Sequence, residues 1–358
     1  MKNLKTGITT GLCAAAAAKA AAITLLSSNP IEYIEITAKN GKPIKLKMAD
    51  ISLTNGKAKC AVEKYAGDDP DVTNGAKIYA EVTKTNAKSI DINGGDGIGR
   101  VTKPGLKVPV GNAAINPVPM EMIKTAIADA CSRYSYDGGI KATISIPGGA
   151  EIAKKTMNER LGIIGGLSIL GTTGIVEPMS DRAIIETIKA EIDIWAASGK
   201  RNLHITPGNY GKEFASKELG LNIEEAIKCS NYIGETLDYA CAKNIDRFTL
   251  IGHAGKLVKL AGGIMNTHSS IADCRMEIIA AHSAAAGAEP SAIKQIMECT
   301  TTEAAIEIMT RLGISETVWK SIGEKIKYHL NTRAKNSMTI EYIVFTQEHG
   351  ILVRGKTI

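Results

Sequence analysis

The sequence predicts a protein of mixed α/β and α+β class with two domains, 1–158 and 159–358. The chain has 358 residues, and a domain takes about 150 residues. Asn-Gly dipeptides separate short strand-like runs in the first half, which favours an α+β domain with largely antiparallel strands. In the second half, strand, glycine turn and helix follow one another three times. That rhythm is typical of a Rossmann-like α/β domain with mostly parallel strands.

The first half is expected to begin with a helix and to continue as a sheet. Alanine, the best helix former, dominates residues 14–26, so a helix is predicted there. Asn40-Gly41 and Asn55-Gly56 mark two of the expected turns. The remaining predicted elements are strands over 33–37, 44–48, 59–65, 78–83, 89–92 and 141–146, and a helix over 120–134.

The second half is expected to form the α/β domain. Residues 161–170 are almost continuously apolar and are predicted to form a buried strand. The turn GTTG follows at 171–174, and Ser180 is a candidate helix cap. Further strands are predicted over 202–206, 247–251, 338–345 and 351–354, the last two as an antiparallel edge. Helices are predicted over 180–198, 223–243 and 270–286, and the region 291–331 is predicted to be helical.

The composition narrows the possible functions. The formal net charge is +6, and residues 1–160 alone carry about +7, which suits a polyanionic small substrate or a solvated basic surface. Aromatic residues make up 4% of the chain, so nucleic-acid binding is not expected. The seven cysteines include no C-x-x-C pair, which argues against a disulfide framework and against a metal site. Lys19 interrupts the apolar run near the N-terminus, so we expect a cytoplasmic protein without a membrane span.

Three glycine-containing turns follow predicted strands, namely GTTG at 171–174, PGNYG at 207–211 and GHAGK at 252–256. At the carboxyl edge of an α/β sheet such turns bring backbone N–H groups to a ligand. None fits G-x-G-x-x-G with an acidic residue about 20 positions further on, and GHAGK lacks the spacing of a P-loop. A plain strand–helix connection explains each turn about as well as a ligand site does.

Two other segments could carry chemistry. GDDPDVTNG places Asp68, Asp69 and Asp71 around a proline. They could bind a cation, orient a substrate amine or act as a general base, or they could simply form a turn. His253 lies in the GHAGK turn and His268 precedes a predicted helix, but no H-E-x-x-H spacing and no G-x-S-x-G elbow occurs. The residues by themselves therefore name no reaction.

Long and unusual strings give a more specific indication. In chain order over residues 6–275 they are TGITTGLCAAAAAKAA, YAGDDPDVTNGAKI, GGDGIGRVTKPGL with VPVGNAAINPVP, ISIPGGAEIAKKTMNERLGIIGGLSILGTTGIVEPMS and GHAGKLVKLAGGIMNTHSSIADCR. On these strings the chain resembles the cobalt-precorrin-5B C1-methyltransferase family of anaerobic cobalamin biosynthesis. It departs from the family pattern at Asn74, where a histidine is usual, and at Met120, where a basic residue often follows NPVP.

The resemblance implies methyl transfer from S-adenosylmethionine to carbon 1 of cobalt-precorrin-5B, which gives cobalt-precorrin-6A and S-adenosylhomocysteine. Cobalt would enter only as part of the substrate. Since the corrinoid carries acetate and propionate carboxylates, Lys, Arg and backbone N–H donors are expected around it. Transfer from a sulfonium requires no covalent enzyme nucleophile, because correct positioning supplies much of the rate.

The resemblance and the motifs together give each candidate residue a hypothetical role. Domain 1–158 is the expected corrinoid side, and domain 159–358 is the expected S-adenosylmethionine side. The predicted catalytic residues are Asp69 and His253. The predicted S-adenosylmethionine-binding residues are Gly171, Thr172, Thr173, Gly174, Gly208 and Asn209. The predicted substrate-binding residues are Thr9, Thr10, Asp68, Asp71, Lys103, Lys256 and His268.

Two other functions stay open at this point. One is an ATP- or NAD-dependent α/β enzyme that uses the glycine turns, against which the missing nucleotide fingerprint argues. The other is a non-catalytic corrinoid-binding or scaffold protein of the same pathway, which would bind the ring without needing a methyl donor. Other enzymes of the pathway are candidate partners, and the sequence leaves the oligomeric state open.

Overall fold

The computed structural model describes residues 4–220, 222 and 225–357, apart from the side chain of Leu219. The chain divides into two compact units, Met1–Ser180 and Asp181–Ile358. The division lies later than the expected boundary at 158, because residues 163–164 and 175–176 pair with strands of the first unit. Both units combine helices with a five-stranded sheet, so the chain has a mixed α/β architecture.

The first unit is organised around the alanine-rich helix predicted from the sequence. Strand β1 (Gly7–Ile8) leads into helix α1 (Thr10–Ser27), and Thr9 caps the helix by accepting a hydrogen bond from the backbone N–H of Leu12. By length and composition α1 could cross a membrane, but 83% of it is buried inside the protein. Small alanine side chains let the helix approach its neighbours closely, which is the environment of a core helix.

The strands of the first unit after β1 are β2 (Tyr33–Thr37), β3 (Pro43–Lys47), β4 (Asp50–Thr54), β5 (Lys57–Glu63), β6 (Lys77–Thr85), β7 (Ile90–Gly94), β8 (Arg100–Val101), β9 (Gly139–Ser145), β10 (Ile163–Ile164) and β11 (Ile175–Val176). The main sheet has the order β4-β5-β6-β9-β7, in which only β7 and β9 run parallel. Strands β2 and β3 form a separate hairpin. The antiparallel pairing predicted for this half is confirmed.

Helix α2 (Pro117–Arg133) packs against α1, and a short helix α3 (Gly149–Ala153) follows β9. Two small antiparallel ladders, β1 with β11 and β8 with β10, complete the unit. The strand predicted over 161–170 is wrong. Only β10 is extended there, because Gly165 turns the chain with φ +82° and the following segment makes single bridges instead of a ladder.

The second unit contains a sheet in the order β13-β12-β14-β15-β16. The first three pairings are parallel, and β16 lies antiparallel at the edge, as the sequence predicts. Numbered from the start of this unit, the spatial order is 2-1-3-4-5, so it reverses direction between β12 and β14. These strands are β12 (Asn202–Thr206), β13 (Ala226–Lys228), β14 (Arg247–His253), β15 (Thr339–Thr346) and β16 (Gly350–Lys356).

The helices of the second unit are α4 (Asp181–Ala197), α5 (Asn209–Leu219), α6 (Ile233–Ala242), α7 (Ala254–Leu257), α8 (Arg275–Ala285), α9 (Pro290–Met297), α10 (Thr302–Arg311) and α11 (Ser315–Ala334), with a 3-10 helix over Val258–Gly262. Two predicted helices were too long. Of the helix predicted over 223–243, residues 223–224 lie outside the described residues, and 226–228 form β13 beside β12. The helix predicted over 270–286 begins only at Arg275, since Cys274 is left-handed.

Candidate functional site

The carboxyl ends of β12 and β14 form the first candidate site. The two strands are parallel neighbours, and the strand order reverses between them. Ligands of open α/β sheets bind at such a reversal. Gly208 and Asn209 follow β12, and His253 ends β14. The structure therefore brings three predicted site residues to one edge of one sheet.

Gly208 is the N-cap of α5, where glycine is common, but neither close packing nor a positive φ requires glycine there. Its backbone is extended, with φ −163°, and among the described residues other than its two chain neighbours no atom lies within 4 Å of the place where a Cβ would stand. It precedes α5, and the first N–H groups of a helix have no partners inside the helix. Asn209 Oδ1 accepts a hydrogen bond from Lys228 Nζ at 3.0 Å. This edge thus offers open space, backbone donors and a cation to an anionic ligand group.

His253 is held at both ring nitrogens. Its Nδ1 accepts a hydrogen bond from the backbone N–H of Gly255 at 3.2 Å, which leaves the proton of the neutral ring on Nε2. Nε2 lies 3.0 Å from Glu303 Oε1, and the ring packs edge-on against Phe345. A carboxylate and a backbone N–H therefore fix the orientation and the tautomer of this imidazole.

The second candidate site is a cavity of about 280 Å³ directly after β14, which we call the Lys256 pocket. The chain builds it almost entirely from the GHAGKLVKLAGGIMNTHSSIADCR string. Its lining residues are Asn231, Gly255, Lys256, Lys259, Thr267, His268, Ser269, Asp273 and Arg275. Two predicted substrate-binding residues, Lys256 and His268, thus share one pocket, and Gly255 connects this pocket to His253.

Three cations and one carboxylate line the Lys256 pocket. Arg275 binds Asp273 through two hydrogen bonds of 2.5 and 3.0 Å. The Lys259 side chain is only 4% exposed, and its Nζ donates to the backbone carbonyls of Thr267 at 3.2 Å and Ala272 at 2.8 Å. Asp273 lies 3.9 Å from Lys259 Nζ, which is beyond hydrogen-bond distance.

Lys256 has a neutral partner. Its Nζ donates to Asn231 Oδ1 at 2.8 Å, and among the described residues no carboxylate lies within ion-pair distance of it. Burial lowers the pKa of Lys256 and also that of Lys259, because desolvation disfavours the ammonium form. His268 is exposed, and its Nδ1 lies 2.7 Å from Ser270 Oγ. The pocket therefore carries positive charge that the described residues only partly neutralise.

The 68–71 loop of the first unit uses its carboxylates to hold the chain together. Asp68 Oδ2 accepts a hydrogen bond from the backbone N–H of Lys5 at 2.7 Å. Asp69 Oδ2 accepts one from the backbone N–H of Met179 at 3.1 Å. Gly67 is required here, since a Cβ on it would stand 2.0 Å from the carbonyl oxygen of Lys5. The loop thus fastens segments from both ends of the unit.

Asp71 is engaged at both carboxylate oxygens. Oδ1 accepts hydrogen bonds from the backbone N–H of Thr73 at 2.8 Å and from its hydroxyl at 2.6 Å, and Oδ2 pairs with Lys64 Nζ. The Lys64 side chain is only 2% exposed. Burial by itself would raise the pKa of Asp71, but the hydrogen bonds from Lys64 and Thr73 outweigh it, and the pKa is lowered.

The 171–174 turn lies against the start of α1. The backbone N–H of Thr9 donates to the carbonyl of Gly174 at 3.0 Å, and that of Leu170 donates to Thr10 Oγ1 at 3.0 Å. Gly171 has φ +132°, and a Cβ on it would stand 2.3 Å from Thr9 Oγ1. Close packing therefore explains this glycine, in contrast to Gly208.

The predicted S-adenosylmethionine-binding residues are divided between the units. Gly171, Thr172, Thr173 and Gly174 belong to the first unit, and Gly208 and Asn209 to the second. Thr172 is exposed, whereas Thr173 Oγ1 accepts a hydrogen bond from the backbone N–H of Ile175 at 3.2 Å. Lys103 lies beside β8 and β10, where it donates to the carbonyl of Arg160 at 3.2 Å. Within the described part of the chain, no group of three His, Cys, Asp or Glu is placed to hold a metal ion.

The structure adds residues that the sequence predictions missed. Lys259 and Arg275 stand inside the quoted string. Lys259 follows Lys256 by about one helical turn, so the spacing could have indicated Lys259 but not Arg275. Asn231 and Glu303 stand outside every quoted string. No local pattern relates them to Lys256 or His253, and only the packing of distant segments does.

Comparison with known proteins agrees with these motifs. The family model CbiD matches residues 1–178, and the model "CbiD, C-terminal domain" matches residues 266–356. The chain therefore belongs to the CbiD family. The second match includes the part of the Lys256 pocket from Thr267 to Arg275 but not Lys256 or Lys259. The first match includes the 68–71 loop and the 171–174 turn.

Curated relatives match almost the whole chain. A protein of Ruminiclostridium cellulolyticum is 52% identical over 96% of this chain and 90% of its own length. One of Methanocaldococcus jannaschii is 44% identical over 93% of this chain and 92% of its own length. Both are named cobalt-precorrin-5B C(1)-methyltransferase. A crystal structure of a cobalamin biosynthesis protein from Archaeoglobus fulgidus is 30% identical and matches 76% of this chain and 84% of that one, with a TM-score of 0.41.

Proposed function

We propose that this protein is a cobalt-precorrin-5B C(1)-methyltransferase that uses S-adenosylmethionine. The observation that carries the proposal is the 52% identity to a curated relative of that name over 96% of the chain. Relatives at 41–45% identity from several bacteria and archaea carry the same name. The substrate would be the corrinoid, which brings the cobalt with it.

We further propose that the second unit is a Rossmann-like donor domain and that Gly208 and Asn209 hold S-adenosylmethionine. The space beside Gly208 suits a bound ligand, because the place that a Cβ would take is open and lies where the strand order reverses. The N–H groups at the start of α5 and Lys228 Nζ suit the carboxylate of the donor's methionine part. The 171–174 turn is the weaker candidate, because packing against Thr9 already accounts for Gly171.

When bound, S-adenosylmethionine supplies a methyl group that leaves its sulfonium sulfur for carbon 1 in an in-line displacement. Since no enzyme nucleophile is needed, the protein's residues have to bind the two ligands, orient them and exclude water from the site. Glu303, which lies beside His253, can stabilise positive charge at this edge. His253 can act on a proton only through its Nε2, because Nδ1 is occupied by the Gly255 N–H.

Asp69 remains a predicted catalytic residue of the first unit. One of its oxygens accepts the Met179 N–H, and its side chain is partly exposed. Asp71 is tied more tightly into the loop, so we propose that it shapes the substrate side instead of contacting substrate directly. Asp68 is exposed and stays a candidate for contact with the substrate. The excess of basic residues in this unit still suits the carboxylates of a corrinoid.

The reaction is tested directly by incubating the protein with cobalt-precorrin-5B and methyl-labelled S-adenosylmethionine. We expect mass spectrometry to find one labelled methyl group on carbon 1, together with released S-adenosylhomocysteine. A ring that binds but never receives the label would refute the proposed activity. The variant Asp69→Asn then tests the predicted catalytic aspartate, and unchanged turnover would remove it from the mechanism.

The donor site is tested by Gly208→Val, with Thr172→Val as the matched variant in the 171–174 turn. Calorimetric titration with S-adenosylhomocysteine should show affinity reduced by about tenfold or more for Gly208→Val, because the side chain occupies the ligand's space. The melting temperature should fall only slightly, because an extended backbone accepts valine although valine caps a helix less well than glycine. Loss of binding in Thr172→Val alone would place the donor at the other turn.

A further inference from the structure

We propose that the Lys256 pocket is a carboxylate subsite, which binds one carboxylate arm of a ligand whose main body lies outside it. This inference rests on the proposed function, because that function supplies two ligands with carboxylates. The corrinoid carries acetate and propionate side chains, and the methyl donor carries an α-carboxylate.

The size of the pocket supports binding of part of a ligand. Pockets that enclose a whole drug-sized molecule measure about 300–1,000 Å³. The Lys256 pocket has about 280 Å³ and is open to solvent on one side, where Ser269 and His268 are exposed. It has room for a short side chain that ends in a carboxylate, and it is too small for a macrocycle.

The charges of the pocket point to an anion. Lys256, Lys259 and Arg275 face a single carboxylate, Asp273, and Arg275 already binds both of its oxygens. Lys259 is buried, donates to two neutral carbonyls, and lies 3.9 Å from the Asp273 carboxylate that Arg275 already binds. Lys256 is half-buried, and its partner is the neutral Asn231 amide. Charges that are removed from water and only partly neutralised are costly, so an anion that enters the pocket stabilises both ammonium groups.

The hydrogen-bond donors of the pocket match a carboxylate. Lys256 Nζ is held in place by Asn231 Oδ1, which leaves further ammonium hydrogens to point into the cavity. The exposed Ser269 hydroxyl adds a neutral donor on the open side. A planar carboxylate can accept hydrogen bonds at both oxygens from such charged and neutral donors.

The position of the pocket relates it to the proposed donor site. Gly255 lines the pocket, and its backbone N–H holds His253 at the carboxyl end of β14. A ligand that reaches this edge of the sheet can therefore extend one arm into the pocket. Both the donor and the corrinoid meet this condition, so the experiment has to distinguish them.

The first test uses the exposed position 269, where the variants Ser269→Glu and Ser269→Gln differ by one charge and disturb no buried group. Two ligands are titrated by calorimetry, S-adenosylhomocysteine and cobyrinic acid, and the fully methyl-esterified cobyrinic acid serves as an uncharged control ring. We expect the affinity of Ser269→Glu for one of the charged ligands to be about tenfold lower than that of Ser269→Gln, because the added carboxylate repels the ligand's carboxylate.

The source of the carboxylate follows from which ligand is affected. If Ser269→Glu binds cobyrinic acid more weakly and its methyl ester with unchanged affinity, the carboxylate comes from the corrinoid. If it binds S-adenosylhomocysteine more weakly, the carboxylate comes from the methyl donor. Lys256→Gln should reproduce the effect and reduce the salt dependence of binding, whereas Lys294→Gln, at an exposed position on α9, should not. Equal affinities in Ser269→Glu and Ser269→Gln, or no binding of either charged ligand to the unmodified protein, would overturn the subsite.

These titrations do not depend on turnover. If the protein transfers no methyl group but Ser269→Glu still weakens a charged ligand, the proposed reaction fails and the subsite stands. If methyl transfer occurs and the Ser269 variants bind alike, the reaction stands and the subsite fails.

Discussion

The ion pair between Lys64 and Asp71 offers a sharp test of whether the 68–71 loop is structural. Lys64 is almost fully buried, with a side chain 2% exposed, and Asp71 is 27% exposed. The variant Asp71→Asn keeps the size of the side chain and an oxygen for the Thr73 hydrogen bonds. It removes the negative charge and leaves the Lys64 ammonium buried without its counterion.

The expected cost is large. Removing one partner of a buried ion pair destabilises a protein by about 3–5 kcal/mol, because the other charge stays desolvated. Since Asp71 is partly exposed, we expect the lower end, about 3 kcal/mol in the free energy of unfolding of the first unit. Adding Lys64→Met to Asp71→Asn removes the buried ammonium that has lost its partner, so the double variant should be more stable than Asp71→Asn alone.

The contribution of the pair should depend on pH. The folded-state pKa of Asp71 lies below its ordinary value, so the pair stabilises the fold above the unfolded pKa of about 3.9. That stabilisation is lost as the pH falls through the folded value. The stability difference between the unmodified protein and Asp71→Asn should thus be constant from neutral to mildly acidic pH and should shrink below about pH 4.

The assay has to report on the first unit alone. Both tryptophans, Trp195 and Trp319, lie in the second unit, so their fluorescence cannot follow this change. Alkylation of the buried thiols of Cys13 and Cys60 during urea unfolding does follow it. As a control, Asp137→Asn changes an exposed carboxylate and should shift stability by less than about 0.5 kcal/mol. A shift equally small for Asp71→Asn would refute the reasoning and return Asp71 to the substrate-binding candidates.

Two further predictions concern close packing and buried thiols. Gly97→Ala should destabilise the first unit by at least about 2 kcal/mol more than Gly148→Ala. Both glycines have a similar positive φ, but a Cβ on Gly97 would stand 1.8 Å from the carbonyl oxygen of Ile146. A Cβ on Gly148 would have no atom of another described residue within 4 Å, apart from its chain neighbours. Equal urea midpoints would contradict this. Burial raises the pKa of Cys13 and of Cys229 to about 12, so at pH 8 iodoacetamide should label both far more slowly than the partly exposed Cys241. Similar rates in peptide mass spectrometry would argue against the burial.

Local patterns predicted much of the fold. Alanine content located α1, and Asn55-Gly56 located the β4–β5 hairpin, whose two central residues both have positive φ. Such signals work because helix propensity and turn geometry depend on neighbouring residues. The apolar run at 161–170 misled the prediction, since burial alone does not distinguish a strand from a buried irregular segment.

The candidate site was predictable only where its residues are close in sequence. The GHAGK string indicated Lys256 and His253, and the Lys256 pocket is built mostly from residues that follow it. The partners that define the electrostatics of these two residues come from elsewhere, namely Asn231 for Lys256 and Glu303 for His253. Gly171 and Gly208 both follow a predicted strand in the sequence, but they differ in backbone conformation and in what surrounds them.

Periodicity, turn residues and long strings are properties of the chain, so the amino-acid sequence alone was enough to predict the class of fold, its antiparallel and parallel halves, and the family. The folded structure was needed to show that Asp71 neutralises Lys64 and that Gly208 faces open space whereas Gly171 is packed. It was also needed to show that Asp273 pairs with Lys259 and Arg275 in the Lys256 pocket but not with Lys256. These facts depend on which distant segments come into contact when the core is buried, and no local sequence pattern predicts such long-range contacts.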